Sequence, residues 1–114
     1  LIKCTERAVE LPPIQKAILY LSTHFLKNPT LAEVASEIEL SPNYFSHIFH
    51  EQMGISYIKY LTKLKINYAK LLLKSSSMPI TDVCYESGFT SLSNFLYIFK
   101  NVEGITPTKY RNSF

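Results

Sequence analysis

Apolar residues along this chain recur at intervals of three and four, the period of a helix with one buried face. Ile14, Ala17, Ile18, Leu21 and Phe25 share such a face. Pro13 suits the first position of that helix, where its missing N–H would have had no partner anyway. The run "KNP" stops it, because the residue before a proline is pushed away from helical dihedrals. Thr30 followed by Glu33 is a capping box opening a short helix on Leu31, Val34, Ala35 and Ile38. Ser41 then caps, and Pro42 begins, a helix that carries Phe45, Ile48 and Phe49 and runs out at Gly54. A long segment from about Ser56 to Lys74 follows, ended by the polar break "SSSMP". After it come a short helix from Ile80, a turn at "SGFTS", a helix through Phe95 and Phe99 that stops at Gly104, and a last short helix after Thr106-Pro107. No alternating stretch competes, so the expected fold class is all-α with about seven helices. Residues 1–12 keep no period and read as a linker or N-terminal tail.

The chain also repeats itself. "FSHIFHEQMGIS" at 45–56 returns fifty residues later as "FLYIFKNVEGIT" at 95–106. Before the turn the offset is 49, as in Val34 and Val83, so the second turn holds one extra residue. Each copy is a short helix, a tight turn and a second helix, with apolar residues at the spacing of a helix-turn-helix. Val34, Ala35, Ile38, Leu40, Phe45 and Ile48 form the first set; Ile80, Val83, Cys84, Phe89, Phe95 and Phe99 form the second. Small residues at Ala35 and Cys84 let the helices cross closely, and Gly88 can take the positive φ such turns need. The expected organisation is a first helix-turn-helix subdomain at 13–55, a linker helix at 56–74 and a second subdomain at 75–114. Ile58, Leu61, Leu64, Ala69, Leu71, Leu72 and Leu73 spread beyond one stripe of the linker, as expected of a helix packed against a unit at each end.

Composition narrows the function. With 114 residues, 46% of them hydrophobic and 18% charged, the chain suits one compact domain or two small ones sharing a core. A net charge of +3 permits a nucleic-acid partner without demanding one. No apolar run approaches the ~20 residues of a membrane span and no signal-like leader opens the chain, so no membrane partner is expected. Cys4 and Cys84 are too few and too separated for a disulfide framework, so a reducing cytoplasm is the default location, and a first residue of Leu1 suggests a fragment or a processed product. His47 and His50 stand one turn apart, yet nothing completes a metal site, and no nucleophile, phosphate loop or carboxylate pair appears. The expectation is therefore no enzyme and no cofactor. What remains is the polar face of each second helix: Asn43, Tyr44, Ser46, His47 and His50 in the first unit, and Ser93, Asn94, Tyr97 and Lys100 in the second. These side chains suit base edges and phosphates, and Glu51 is the one acid beside them. On the apolar pattern alone, a helical protein–protein interaction module with no direct DNA readout stands as the alternative, and the polar faces lean towards DNA.

The run "GFTSLSNFLYIFKNVEGITPTKYR", Gly88 to Arg111, resembles the signature of the AraC/XylS family of bacterial transcription regulators: G-F, then F-x-x-x-F-K, then G-x-x-P and a terminal aromatic-Arg pair. Upstream, "LAEVA", "LSPNYFSHIF", "GIS" and "AKLLL" are similar to that family's first unit and linker helix, so the likeness runs from about Ile14 to Arg111. It implies a C-terminal domain in which two helix-turn-helix units bind double-stranded DNA, with Tyr110 and Arg111 anchoring the last helix. RNA polymerase and an N-terminal effector or dimerisation domain outside this chain are the further partners it implies. The chain departs from the family's pattern at His47 and Tyr97, where an Arg is frequent, at Lys65, where the linker usually has Arg, and at Cys84, where Ala is usual. Bidentate guanine recognition by Arg is thus absent from those two helix positions.

Overall fold

The computed structural model describes residues 11–114. Most of the tail expected at 1–12, with Cys4, lies outside the described residues. Among those described are seven α-helices and no strand: α1 (Pro13–His24), α2 (Leu31–Glu37), α3 (Pro42–Met53), α4 (Tyr57–Ser75), α5 (Ile80–Glu86), α6 (Leu92–Glu103) and α7 (Pro107–Asn112). A single 3-10 turn, Phe25–Lys27, closes α1, and Asn28 leaves it in the left-handed region at φ 53°. Asparagine is among the few residues that take up this conformation readily.

Local signals placed the helix ends. The Thr30 hydroxyl accepts from the Glu33 N–H while the Glu33 carboxylate accepts from the Thr30 N–H, completing the capping box. Ser41, Ser56, Ser91 and Thr106 cap α3, α4, α6 and α7 in the same sense, each side-chain oxygen taking one otherwise unbonded N–H of a first turn. Gly54 ends α3 at φ 80°, donating its N–H to the His50 carbonyl.

Two apolar clusters follow the repeat. Ile14, Ala17, Leu21, Val34, Ala35, Ile38, Phe45, Ile48 and Phe49 close the first, and Tyr57 and Leu61 enter it from the start of α4. Val83, Cys84, Phe89, Phe95 and Phe99 close the second, with Ile66, Ala69 and Leu73 supplied by the rest of α4. Stacked edges run through both: Phe45, Phe49 and Tyr57 meet with ring centres 5.6–6.0 Å apart, and Phe89, Phe95 and Phe99 form the matching ladder. The buried face of α4 therefore changes direction halfway along it. Two residues expected on that face are not there: Ile58 is 61% exposed and Leu71 57%. Tyr57 and Ile66 are buried instead. The switch between two cores selects positions 57, 61, 66, 69 and 73, which no single helical stripe describes.

The turns of the two units superpose in their bonding. In the first, the Leu40 N–H bonds the Ala35 carbonyl at 2.9 Å; in the second, the Phe89 N–H bonds the Cys84 carbonyl at 3.1 Å. Glu39 and Gly88 hold the same place, at φ 61° and 95°. The extra residue of the second unit is Thr90, inserted between Phe89 and the capping Ser91.

Candidate nucleic-acid interface

Burial of one face of α3 presents the other. Phe45, Ile48 and Phe49 point into the first cluster, so Asn43, Tyr44, Ser46, His47 and His50 are all exposed. The same holds for α6, where Phe95 and Phe99 are buried and Ser93, Asn94, Tyr97 and Lys100 are exposed. All nine residues singled out from the sequence thus lie on two helix surfaces, five on one and four on the other. Tyr44 and Tyr97 are 54% and 68% exposed, so neither aromatic serves a core. Tyr44, in the first turn of α3, and Tyr97, in the second turn of α6, place a donor, an acceptor and a flat apolar ring at each surface.

The hydrogen-bonding character of the two faces differs. Asn43 and Asn94 each carry a carbonyl acceptor and an NH₂ donor in one plane, the arrangement that matches the N7 and N6 edge of adenine. The α3 face adds two imidazoles, and His47 Nε2 lies 3.8 Å from the Glu51 carboxylate one turn on. Both groups are largely exposed, so this pair contributes little to stability. Lys100 adds an amine donor on α6. Ser46, His47, His50, Glu51 and Ser56 line a shallow hollow beside α3. Among the described residues no group of three or more His, Cys, Asp or Glu could hold a metal ion, and no helix is long and apolar enough to cross a membrane.

Two polar contacts hold α6 and α7 to the linker. Lys70 Nζ pairs with the Glu103 carboxylate at 3.2 Å, with both side chains mostly shielded. Arg111 Nε donates to the Leu73 carbonyl at 3.1 Å, satisfying an acceptor in the last turn of α4 that has no helical partner. Tyr110 packs edge-on to Phe99 with ring centres 5.6 Å apart. A separate polar contact joins the two units. Lys65 Nζ donates to Asn28 Oδ1 at 2.6 Å and reaches the Gly88 carbonyl at 3.4 Å, while Asn28 Nδ2 donates to the same carbonyl at 2.8 Å. The ammonium also lies 4.7 Å above the Phe89 ring. Burial holds its pKa below the ordinary lysine value.

Sequence reasoning missed this junction and the role of Tyr57. Lys65 is one of the five lysines between Ser56 and Lys74, and no periodicity marks it as the one that reaches across to Asn28. Asn28 looked like part of a helix stop, which it is; its side chain's second task depends on a residue sixty positions away. Tyr57, 3% exposed, donates its hydroxyl to the Pro29 carbonyl, and burial, then Glu33 and Tyr20, push its pKa up to about 12. Cys84 is buried, and burial pushes its thiol pKa up, as suits a packed residue.

Known proteins are similar to this chain in sequence and in fold. Residues 34–113 match the family model described as a helix-turn-helix domain. Over 99 residues the chain is 36% identical to the arabinose operon regulatory protein of Escherichia coli K12, covering 86% of this chain and 34% of that protein. It is 35% identical over 99 residues to the HTH-type transcriptional regulator YtdP of Bacillus subtilis, covering 86% of this chain and 13% of that one. The chain therefore spans about a third or less of these relatives' length. Among solved structures, the C-terminal domain of AraT, a response regulator from Geobacillus stearothermophilus, superposes with a TM-score of 0.84 at 32% identity, over 91% of this chain and 87% of that one.

Proposed function

Because the chain belongs to the AraC-type helix-turn-helix family, we propose that its α3 and α6 read double-stranded DNA in successive major-groove segments and thereby direct transcription. The observation that carries this reading is the pair of exposed polar helix faces, repeated fifty residues apart and joined by one continuous helix of 19 residues. At ~1.5 Å per residue that helix is roughly 28 Å long, close to the ~34 Å between major-groove segments on one face of B-DNA. The functional units are the subdomains 13–55 and 75–114, with 56–74 as the spacer between them.

The roles follow from side-chain chemistry. Asn43 and Asn94 take adenine edges; Ser46 and Ser93, small and able to donate or accept, contact bases or phosphates beside them. Tyr44 and Tyr97 lay their rings against sugars or thymine methyls and direct their hydroxyls to phosphates. His47, His50 and Lys100 bond phosphates or base acceptors and set register. RNA polymerase and an effector-binding or dimerisation region elsewhere in a longer protein are the further partners, and the cytoplasm is the place of action.

In vitro selection of bound duplexes tests the assignment of readers. Asn43→Ala and Asn94→Ala should each relax the selected sequence at different positions, by about 1–3 kcal/mol per lost base contact. Retention of the parent's preference by both variants would remove these two residues from the reading set.

A further inference from the structure

We propose that Lys65 is a positioning residue whose ammonium, gripped by Asn28 and the Gly88 carbonyl, fixes the orientation of α3 relative to α6 and hence the spacing of DNA segments the chain accepts. The proposal rests on the DNA reading above and adds the device that sets its geometry.

The two apolar clusters have no buried residue in common, and each draws on its own stretch of α4. Each unit could therefore pack well against α4 without constraining the other except through that helix. The junction supplies a direct constraint. Asn28 follows the 3-10 turn of the first unit, Gly88 lies in the turn of the second, and the Asn28 amide donates straight across to the Gly88 carbonyl at 2.8 Å. Lys65 completes a three-way contact, donating to Asn28 Oδ1 at 2.6 Å and so fixing which way the amide faces. Above Phe89, at 4.7 Å, the ammonium gains from the ring's negative face. The backbone is shaped to the contact as well. Asn28 holds a left-handed dihedral, and a Cβ at Gly88 would stand 2.8 Å from Lys65 Cδ.

The placement ties this contact to reading. Asn28, Lys65, Gly88, Phe89 and Asn94 line one cleft between the units, so the junction lies beside the start of α6, next to Asn94. An ordinary phosphate-seeking lysine would hold its ammonium in solvent. Here two protein oxygens and a ring take it.

The experiment has one arm with DNA and one without. In the first, mobility shifts measure affinity for the selected site and for sites in which one contacted segment is moved by a base pair, which turns it by about 35° around the duplex. Lys65→Met should lower the ratio between best and shifted sites about tenfold, the scale of one charge-assisted contact, with unchanged affinity for random duplex. Lys65→Arg, which keeps the cation and its donors, should restore the ratio. In the second arm, spin labels at Gln52 and Asn101, in a background with Cys4 and Cys84 replaced by Ser and Ala, report the distance distribution between α3 and α6. Lys65→Met and Asn28→Ala should each broaden it. An unchanged distribution overturns the proposal whatever the DNA result. A uniform loss of affinity on all duplexes, with the salt slope smaller by about one, would make Lys65 a phosphate contact and overturn it too. A broadened distribution in a chain whose parent binds no duplex would support the clasp and refute the DNA reading.

Discussion

Gly88→Ala should destabilise the protein more than Gly54→Ala, although both glycines hold positive φ, 95° and 80°. Around Gly54 nothing lies within 4 Å of the position a Cβ would take, so alanine there meets only the backbone penalty of a left-handed dihedral, about 1–2 kcal/mol. At Gly88 the same penalty applies, and the new Cβ meets Lys65 Cδ at 2.8 Å and Cγ at 3.5 Å. That side chain is flexible and can move aside. Moving it draws Nζ away from Asn28, weakening a charge-assisted bond worth roughly 1 kcal/mol when discounted for partial exposure. The expected losses are about 1–2 kcal/mol for Gly54→Ala and 2–3 kcal/mol for Gly88→Ala. Thermal unfolding followed by far-ultraviolet circular dichroism resolves this difference, since 1 kcal/mol moves the Tm of a domain this size by about 4 °C or more. Glu39 shows why glycine is not needed for the turn alone, because a non-glycine residue holds φ 61° at the equivalent place with its side chain exposed. If Gly88→Ala melts no lower than Gly54→Ala, the close approach of Lys65 is not a constraint on the fold.

Tyr57→Phe should cost about 1–3 kcal/mol, because the carbonyl of the buried Pro29 loses its donor. The unfolded tyrosine ionises near 10 and the folded one near 12, so this residue's contribution is whole below pH 10 and is lost as pH climbs towards about 12. Over that interval the Tm of the parent should fall more steeply than that of Tyr57→Phe; parallel curves would count against the assignment. Arg111→Ala strands the Leu73 carbonyl in the last turn of α4 and should lower stability by about 2 kcal/mol in a urea titration, and an unchanged midpoint would mean the contact is not formed in solution. Leu64→Asp puts a carboxylate where Leu64 packs, half-buried, against the first cluster. It should cost a few kcal/mol and expose the first unit's amides to hydrogen exchange before the second's, whereas exchange matching the parent's would mean that position faces water.

Much of the architecture was legible because its causes are local. A capping threonine or serine, a proline at a first helical position and a glycine after a last turn act within four residues, and α2, α3, α6 and α7 begin or end where such signals stand. The repeat made the two cores legible as well, since Phe45 and Phe95, or Phe49 and Phe99, solve the same packing problem twice. The linker was harder. Its apolar residues answer to two cores, so Ile58 and Leu71 looked as buried as Leu61 and Leu73. The polar contact between the two units left no trace: nothing around Asn28, Lys65 or Gly88 in the chain indicates that the three meet. The exposed polar faces of α3 and α6 were visible for a negative reason. Once the buried positions of α3 and α6 were known, Asn43, His47, Asn94 and Tyr97 had nowhere else to point.

The central claim is that one chain carries two readers, and footprinting on a selected site tests it most directly. Hydroxyl-radical cleavage should be run across a titration in which the stoichiometry of the complex is measured in parallel. A single chain should protect an asymmetric site with two contacted segments centred roughly 10 base pairs apart on one face of the duplex. Protection of one segment alone, or a symmetric site occupied only by two chains, would contradict the account.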